Sequence, residues 1–72
     1  MEKSFNNALA TLKRNTEEDK YSTLDRVLDV VYGYSLREKD EVPELVKRYN
    51  KWCEKNHYFS EVVEIEAVMR NI

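Results

Sequence analysis

Cys53 and His57 are the side chains of this sequence that could form a nucleophile and its general base. They are four residues apart, so on one continuous helix they would share a face. A nucleophilic site also requires an orienting third group and donors for an oxyanion. A structural zinc site requires four ligands, and these two residues are the only soft ones. We therefore expect a core cysteine, a histidine in the following loop and no bound metal. A Cys53-dependent enzyme or redox sensor is the remaining alternative.

Other catalytic signatures are missing from the chain. A single glycine cannot build a phosphate-binding loop or a nucleophile elbow. Acid–base catalysis requires carboxyl groups in a desolvated cleft, and a chain of 72 residues has little volume for one. We expect no enzymatic activity and no cofactor. The carboxylates that are paired in the sequence should lie at helix starts or on solvated faces, and they are Glu17 with Glu18, Asp40 with Glu41 and Glu64 with Glu66.

A basic ridge is the feature that could contact nucleic acid. Lys47, Lys51 and Lys55 lie four residues apart, with Arg48 beside them, so they would follow one side of a helix. Such a ridge could track phosphates. Acidic residues are interspersed, however, and the side chains that usually read base edges are not clustered there. A solvated helix surface is the favoured interpretation, with DNA or RNA binding as the alternative.

Large aromatic side chains are concentrated in the middle and the second half of the chain. A small core cannot easily hold all of these rings with every hydroxyl group satisfied. Tyrosine and tryptophan are also the residues that most often anchor interfaces. We expect Tyr49 and Trp52 to belong mainly to the core. The candidate protein-binding residues are, in order of the chain, Tyr32, Tyr34, Trp52, Tyr58 and Phe59.

Composition limits the class of protein. The charged fraction is 36% and the net charge is -2, so the chain is neither a polycation nor a polyanion. The apolar fraction of 42% disfavours disorder. No apolar run approaches the roughly 20 residues of a membrane span, and no targeting segment is recognisable. A lone cysteine fits a reducing compartment, which predicts a cytoplasmic location.

Apolar periodicity predicts the elements that must position these residues. A first helix is expected from about Ser4 to Lys13, with Asn15 as its terminator. A second helix is expected to begin at Thr16 and to end at Gly33. Its stripe of Tyr21, Leu24, Val27, Leu28 and Val31 should face the core, which leaves Asp25, Arg26 and Asp29 on the other side.

The second half of the chain contains two further elements. The spacing from Ser35 to Glu38 permits a short helical turn in the connection. Pro43 fits the first turn of a third helix, which should end at Asn56. Its apolar face would comprise Leu45, Val46, Tyr49, Trp52 and Cys53. After Ser60, a helix through Val62, Ile65, Val68, Met69 and Ile72 is preferred to a strand, because a lone strand has nothing to pair with.

These patterns predict one all-α domain over residues 1–72, a compact bundle of three or four short amphipathic helices. Domains of this size have little stability to spare, so self-association as a homodimer is also expected. The function that remains is that of a small non-enzymatic regulator, inhibitor or adaptor, which binds a larger protein partner through an aromatic-rich surface.

Overall fold

The apolar stripes of the sequence wind into helices that share one core. The structure, a computed structural model, describes residues 2–36 and 40–72. These residues form four α-helices and a 3-10 turn without any strand, which confirms the all-α class. The elements are α1 (Glu2–Glu17), α2 (Thr23–Gly33), α3 (Glu41–Lys55), the 3-10 turn (Phe59–Glu61) and α4 (Ile65–Arg70). None of the helices in the described ranges is both long and apolar enough to cross a bilayer.

The core lies where α1, α2 and α3 meet, and α4 packs on α2 and α3. The radius of gyration is 10.8 Å, close to the value of about 11 Å expected for a folded chain of this length. The predicted apolar face of α3 is confirmed, and Pro43 lies in its first turn. The buried apolar residues are Phe5, Ala8, Leu12, Val27, Val30, Val31, Leu36, Val42, Leu45, Val46, Tyr49, Cys53 and Val68.

The predicted boundary between the first two helices is wrong. Thr16 does not start α2 but lies in the last turn of α1, where its hydroxyl donates to the carbonyl oxygen of Leu12 at 2.8 Å. Glu17 is therefore the last residue of α1, and α2 begins only at Thr23. A threonine cap and a threonine that bonds back into its own helix look alike in sequence.

The other expected ends of α1 are also displaced. The helix begins at Glu2, so Ser4 lies inside its first turn instead of preceding it. Asn15 does not terminate the helix and is almost completely buried. The helix consequently runs one turn further towards α3 than the apolar periodicity alone indicates.

Three helices end in the same hydrogen-bonded motif, although none uses glycine for it. Asp19, Ser35 and His57 have φ angles of 55°, 56° and 67°, in the left-handed region. After each of them, the next amide donates to a carbonyl five residues back, which is the defining bond of the Schellman motif. These bonds are Lys20 N to Asn15 O at 2.9 Å, Leu36 N to Val31 O at 2.9 Å and Tyr58 N to Cys53 O at 2.7 Å.

Gly33 does not have the expected terminating role. It is the last residue of α2, and its φ angle is not positive. The left-handed turn occurs two residues later, at Ser35. That residue lies in the connection where a helical turn was predicted, and residues 37–39 of that prediction lie outside the described residues. At the end of α3, Asn56 is the capping residue as expected.

The last segment is helical, as preferred, but it begins later than predicted. Ser60 lies in the 3-10 turn, and Glu64 precedes α4. Val62, after the 3-10 turn, is extended, and Asn50 of α3 binds the next residue, Val63, through both amide atoms. Its Nδ2 donates to the carbonyl oxygen of Val63 at 2.7 Å, and its Oδ1 accepts the amide of Val63 at 2.9 Å. This side-chain contact satisfies both backbone polar groups of Val63 outside any helix, and α4 starts only after it.

Moving glycine to the position that requires it should stabilise the protein. A Cβ atom added at Gly33 meets nothing within 4 Å, and its backbone is helical, so Gly33→Ala should add about 0.5 to 1 kcal/mol to the free energy of unfolding. Ser35→Gly should add about 1 kcal/mol, because it removes the cost of a left-handed side-chain-bearing residue. Urea unfolding of both variants measures these changes. A loss of stability in Gly33→Ala would contradict this account of the end of α2.

Candidate protein-binding surface

Three of the five aromatic residues predicted to bind a partner also hold the fold together. Tyr34, Trp52 and Tyr58 are each half-buried against the core. The hydroxyl groups of Tyr34 and Thr11 lie 2.7 Å apart, which joins the end of α2 to α1. Substitution of Tyr34 would therefore alter packing as well as surface chemistry.

Trp52 is the centre of an aromatic stack along α3. Its ring lies 6.2 Å from that of Tyr49 and 5.3 Å from that of Tyr58, with interplanar angles of 24° and 19°. The ammonium group of Lys13 lies 5.9 Å from the Trp52 ring centroid, at the distance of a cation–π contact. Only the outer part of this stack is available to a partner.

Tyr32 and Phe59 are the predicted binding residues that the structure leaves open. Their exposed fractions are 54% and 62%. The hydroxyl of Tyr32 donates to the carbonyl oxygen of Asn71 at 2.6 Å, so its ring adjoins the end of α4. The rings of His57 and Phe59 form a T-shaped pair, with the centroids 5.6 Å apart.

Four further apolar residues, which the aromatic pattern did not single out, are exposed near them. Val62, Ile65, Met69 and Ile72 have exposed fractions between 37% and 48%, whereas Val68 of the same stripe is completely buried. We call Phe59, Val62, Ile65, Met69 and Ile72 the α4 apolar surface. The sequence did carry a signal for it, because α4 is apolar on more than one side and a short helix can bury only one.

Arg26 fixes the position of the segment that carries this surface. The expectation that Arg26 faces solvent is wrong, since its side chain is fully buried. Its Nε donates to the carbonyl of Lys20 and one terminal nitrogen to that of Tyr21, both at 2.8 Å. The other terminal nitrogen donates to Glu61 Oε1 at 2.7 Å. The guanidinium therefore binds the α1–α2 loop and the 3-10 turn together.

A chain of hydroxyl groups extends from Arg26 across the core. Because the Thr16 hydroxyl donates its one hydrogen to Leu12, it must accept from Tyr49, whose oxygen lies 2.9 Å away. Tyr49 is then free to accept a long bond of 3.5 Å from Arg26. Within the described residues, every buried side-chain nitrogen and oxygen has a partner. This network links α2, α3 and α1.

Ionisation of the Arg26–Glu61 pair follows from these contacts. Burial lowers the pKa of Arg26, but hydrogen bonds to Glu61 and Tyr49 outweigh it, so the net change in pKa is upward. The hydrogen bond from Arg26 holds the pKa of Glu61 below its usual value. Both groups are therefore charged at neutral pH, and the pair is intact there.

Cys53 and His57, the candidate nucleophile and its general base, lie in different environments. Cys53 is fully buried, and its sulfur lies 4.0 Å from the carbonyl oxygen of Glu61. Burial raises the pKa of this thiol, which disfavours the reactive thiolate. His57 is exposed beyond the end of α3. Among the described residues, no three His, Cys, Asp or Glu side chains are grouped as metal ligands.

The basic ridge lies on the exposed side of α3. Lys47, Arg48, Lys51 and Lys55 are all exposed. Arg48 donates to Glu44 at 2.8 Å and lies 5.2 Å from the ring centroid of Phe5, so part of its charge is compensated. In the described part of the chain, Arg48 is the one member of the ridge with an ion pair.

Comparisons of the chain with protein-family models, with curated proteins and with solved structures gave no match.

The Arg26–Glu61 ion pair should make stability depend on pH in the acidic range. Because folding lowers the pKa of Glu61, the pair stabilises the fold above the unfolded pKa of about 4.5 and loses this effect as the pH falls through the folded value. Glu61→Gln should cost about 1.5 to 3 kcal/mol at pH 7 and flatten the acid limb of the stability profile.

Urea unfolding between pH 7 and acid conditions measures both effects of Glu61→Gln. Glu44→Gln is the matched control, because Glu44 also pairs with an arginine but on the exposed side of α3. We expect a smaller change for the control. If Glu61→Gln and the unaltered protein lost the same free energy of unfolding as the pH falls, the role given to this carboxylate would be contradicted.

Proposed function

We propose that this chain is a small non-enzymatic regulatory or adaptor protein that binds a larger protein through the α4 apolar surface, with Tyr32 beside it. The observation that carries the proposal is the exposure of five large apolar side chains within the fourteen residues from Phe59 to Ile72. Single exposed apolar residues are ordinary, but a group of them in one segment is typical of an interface.

The residue types of this surface suit recognition. Phenylalanine, methionine and tyrosine are enriched in interface cores, and Phe59, Met69 and Tyr32 supply one of each. Tyr34, Trp52 and Tyr58 stay proposed contacts through the parts of their rings that remain accessible. Phe59 and Tyr32 are the leading anchors in this proposal, because they can be covered by a partner without repacking the core.

The surface is held in place before any partner arrives. Glu61 is bound to Arg26, Val63 to Asn50 and Asn71 to Tyr32, so the segment is tied at three points. A preorganised surface loses less conformational entropy on binding, which favours affinity. A reducing, cytoplasmic setting for this function is part of the proposal, supported by the single buried cysteine.

Nucleic-acid binding through the basic ridge is the second candidate function. It is supported by the position of the three lysines, Lys47, Lys51 and Lys55, along one exposed side of α3. Such a row can neutralise successive phosphates without reading base sequence. The proposal would then concern a small helical DNA- or RNA-binding regulator.

Removal of the apolar anchors should abolish partner binding while the fold persists. Phe59→Ser combined with Met69→Ser should release proteins captured from nuclease-treated lysate, because both side chains are exposed and contribute little to the core. The thermal unfolding temperature should change by no more than a few degrees. Ala10→Ser, at an exposed site of α1, is the control. Undiminished capture by the double variant would count against the α4 apolar surface.

Charge reversal of the ridge separates the second function from the first. If the ridge binds phosphates, labelled duplex DNA or RNA should bind at low salt, and affinity should fall steeply as salt is raised. Lys47→Glu with Lys51→Glu should then weaken binding and reduce the salt slope by about two. Anisotropy titrations measure this. The absence of binding at low salt would eliminate the ridge as a nucleic-acid site.

A further inference from the structure

An open groove lies between α3 and the segment that leads into α4. Asn50 and Glu54 line it on the α3 side, and residues 62–66 line it on the other. The two hydrogen bonds between Asn50 and Val63 hold these sides at a fixed separation. The groove therefore exists without a ligand.

The lining of the groove combines apolar and acidic groups. Val62 and Ile65, two members of the α4 apolar surface, are 41% and 37% exposed there. Glu54, Glu64 and Glu66 are also exposed and lie among the same lining residues. No lysine or arginine lines the groove in the described part of the chain. Its chemistry is thus apolar side chains accompanied by three negative charges.

We propose that this groove binds a basic amphipathic segment of the protein partner, in which lysine or arginine side chains flank apolar ones. This inference rests on the proposed protein-binding function and adds the chemical class of the partner. Apolar side chains of such a segment would cover Val62 and Ile65, while its cations would meet the glutamates. Complementary charge selects partners and accelerates association.

The negative charge of the groove disfavours a second copy of this chain, nucleic acid and anionic membranes as its occupants. In a symmetric dimer the same patch faces itself, so the glutamates of the groove would be brought near the glutamates of the second copy. Like charges brought together across an interface oppose binding. Nucleic acid and anionic membranes are opposed for the same reason. A basic polypeptide segment is the occupant that this combination of charge and apolar area favours.

The test uses the full chain and a dye-labelled synthetic peptide of leucine and lysine arranged at helical spacing. A second peptide with glutamate in place of lysine is the charge-reversed probe. Anisotropy should show binding of the lysine peptide, weakening as salt is raised, and at least tenfold weaker binding of the glutamate peptide. Amide chemical shifts should change at Asn50, Glu54 and residues 62–66. Equal affinity for both peptides, or shift changes confined to other residues, would overturn the proposal.

Matched variants separate an effect of the groove on peptide affinity from an effect of the protein's net charge. Glu64→Gln with Glu66→Gln should weaken the lysine peptide by about fivefold to tenfold, as expected for the loss of two exposed ion pairs. Glu17→Gln with Asp29→Asn makes the same change in charge at exposed sites outside the groove and should leave affinity unchanged. Equal weakening by both pairs would overturn the groove as the site.

The failure of this inference can be told apart from that of the proposed function. If Phe59→Ser with Met69→Ser abolishes partner capture but Glu64→Gln with Glu66→Gln leaves both capture and peptide affinity intact, protein binding stands and the basic segment is excluded. If neither pair of substitutions affects capture, both proposals fail. If sedimentation showed a dimer that the Ile65→Lys substitution dissociates, the occupant of the groove would be a second copy of this chain and not a basic segment.

Discussion

The hydrogen bonds and the ion pair of the buried Arg26 side chain are the interactions on which the arrangement of this small protein depends. Placing a guanidinium in a protein interior carries a desolvation cost of several kcal/mol, which only well-formed hydrogen bonds and an opposite charge can offset. Arg26 finds them in the carbonyls of Lys20 and Tyr21 and in the carboxylate of Glu61. These partners belong to two loops that are far apart in sequence. Satisfying one charge therefore determines where both loops lie against α2.

The helix ends are the second constraint on the fold. With one glycine in the chain, α1, α2 and α3 turn left-handed at Asp19, Ser35 and His57, which cost more there than glycine would. At two of these three ends, the side chain of the residue that follows packs against the rest of the protein. After Ser35, Leu36 enters the core, and after His57, Tyr58 stacks on Trp52. At Ser35 and His57, packing of the following residue outweighs the local backbone preference. After Asp19, the side chain of Lys20 is exposed, and it is the backbone carbonyl of Lys20 that accepts from Arg26.

The α4 apolar surface is a consequence of the same geometry. Arg26 and Asn50 bind the chain on either side of Val62, so α4 starts late and is only six residues long. A helix of that length offers one buried position, Val68, while its remaining apolar residues stay outside. The groove that is lined by Glu54, Glu64 and Glu66 lies between α3 and the segment that leads into α4. The proposed binding surface and the buried arginine thus share one structural cause.

Apolar periodicity alone predicts the all-α class, the buried face of α3, the place of Pro43 and the end of α3 at Asn56, because these depend on contacts within a few residues of the chain. The predicted face of α2 is confirmed at Val27 and Val31, but it is wrong at Tyr21, which precedes α2 and is 61% exposed. The burial of Arg26, the boundary between α1 and α2 and the exposure of α4 depend instead on contacts between residues that are far apart in the chain. Periodicity shows which residues share a face, but not what lies opposite that face. Arg26 becomes an interior residue because Glu61, thirty-five positions away, is brought to it. Thr16 lies in α1, and its hydroxyl accepts a hydrogen bond from Tyr49 on α3, thirty-three positions away.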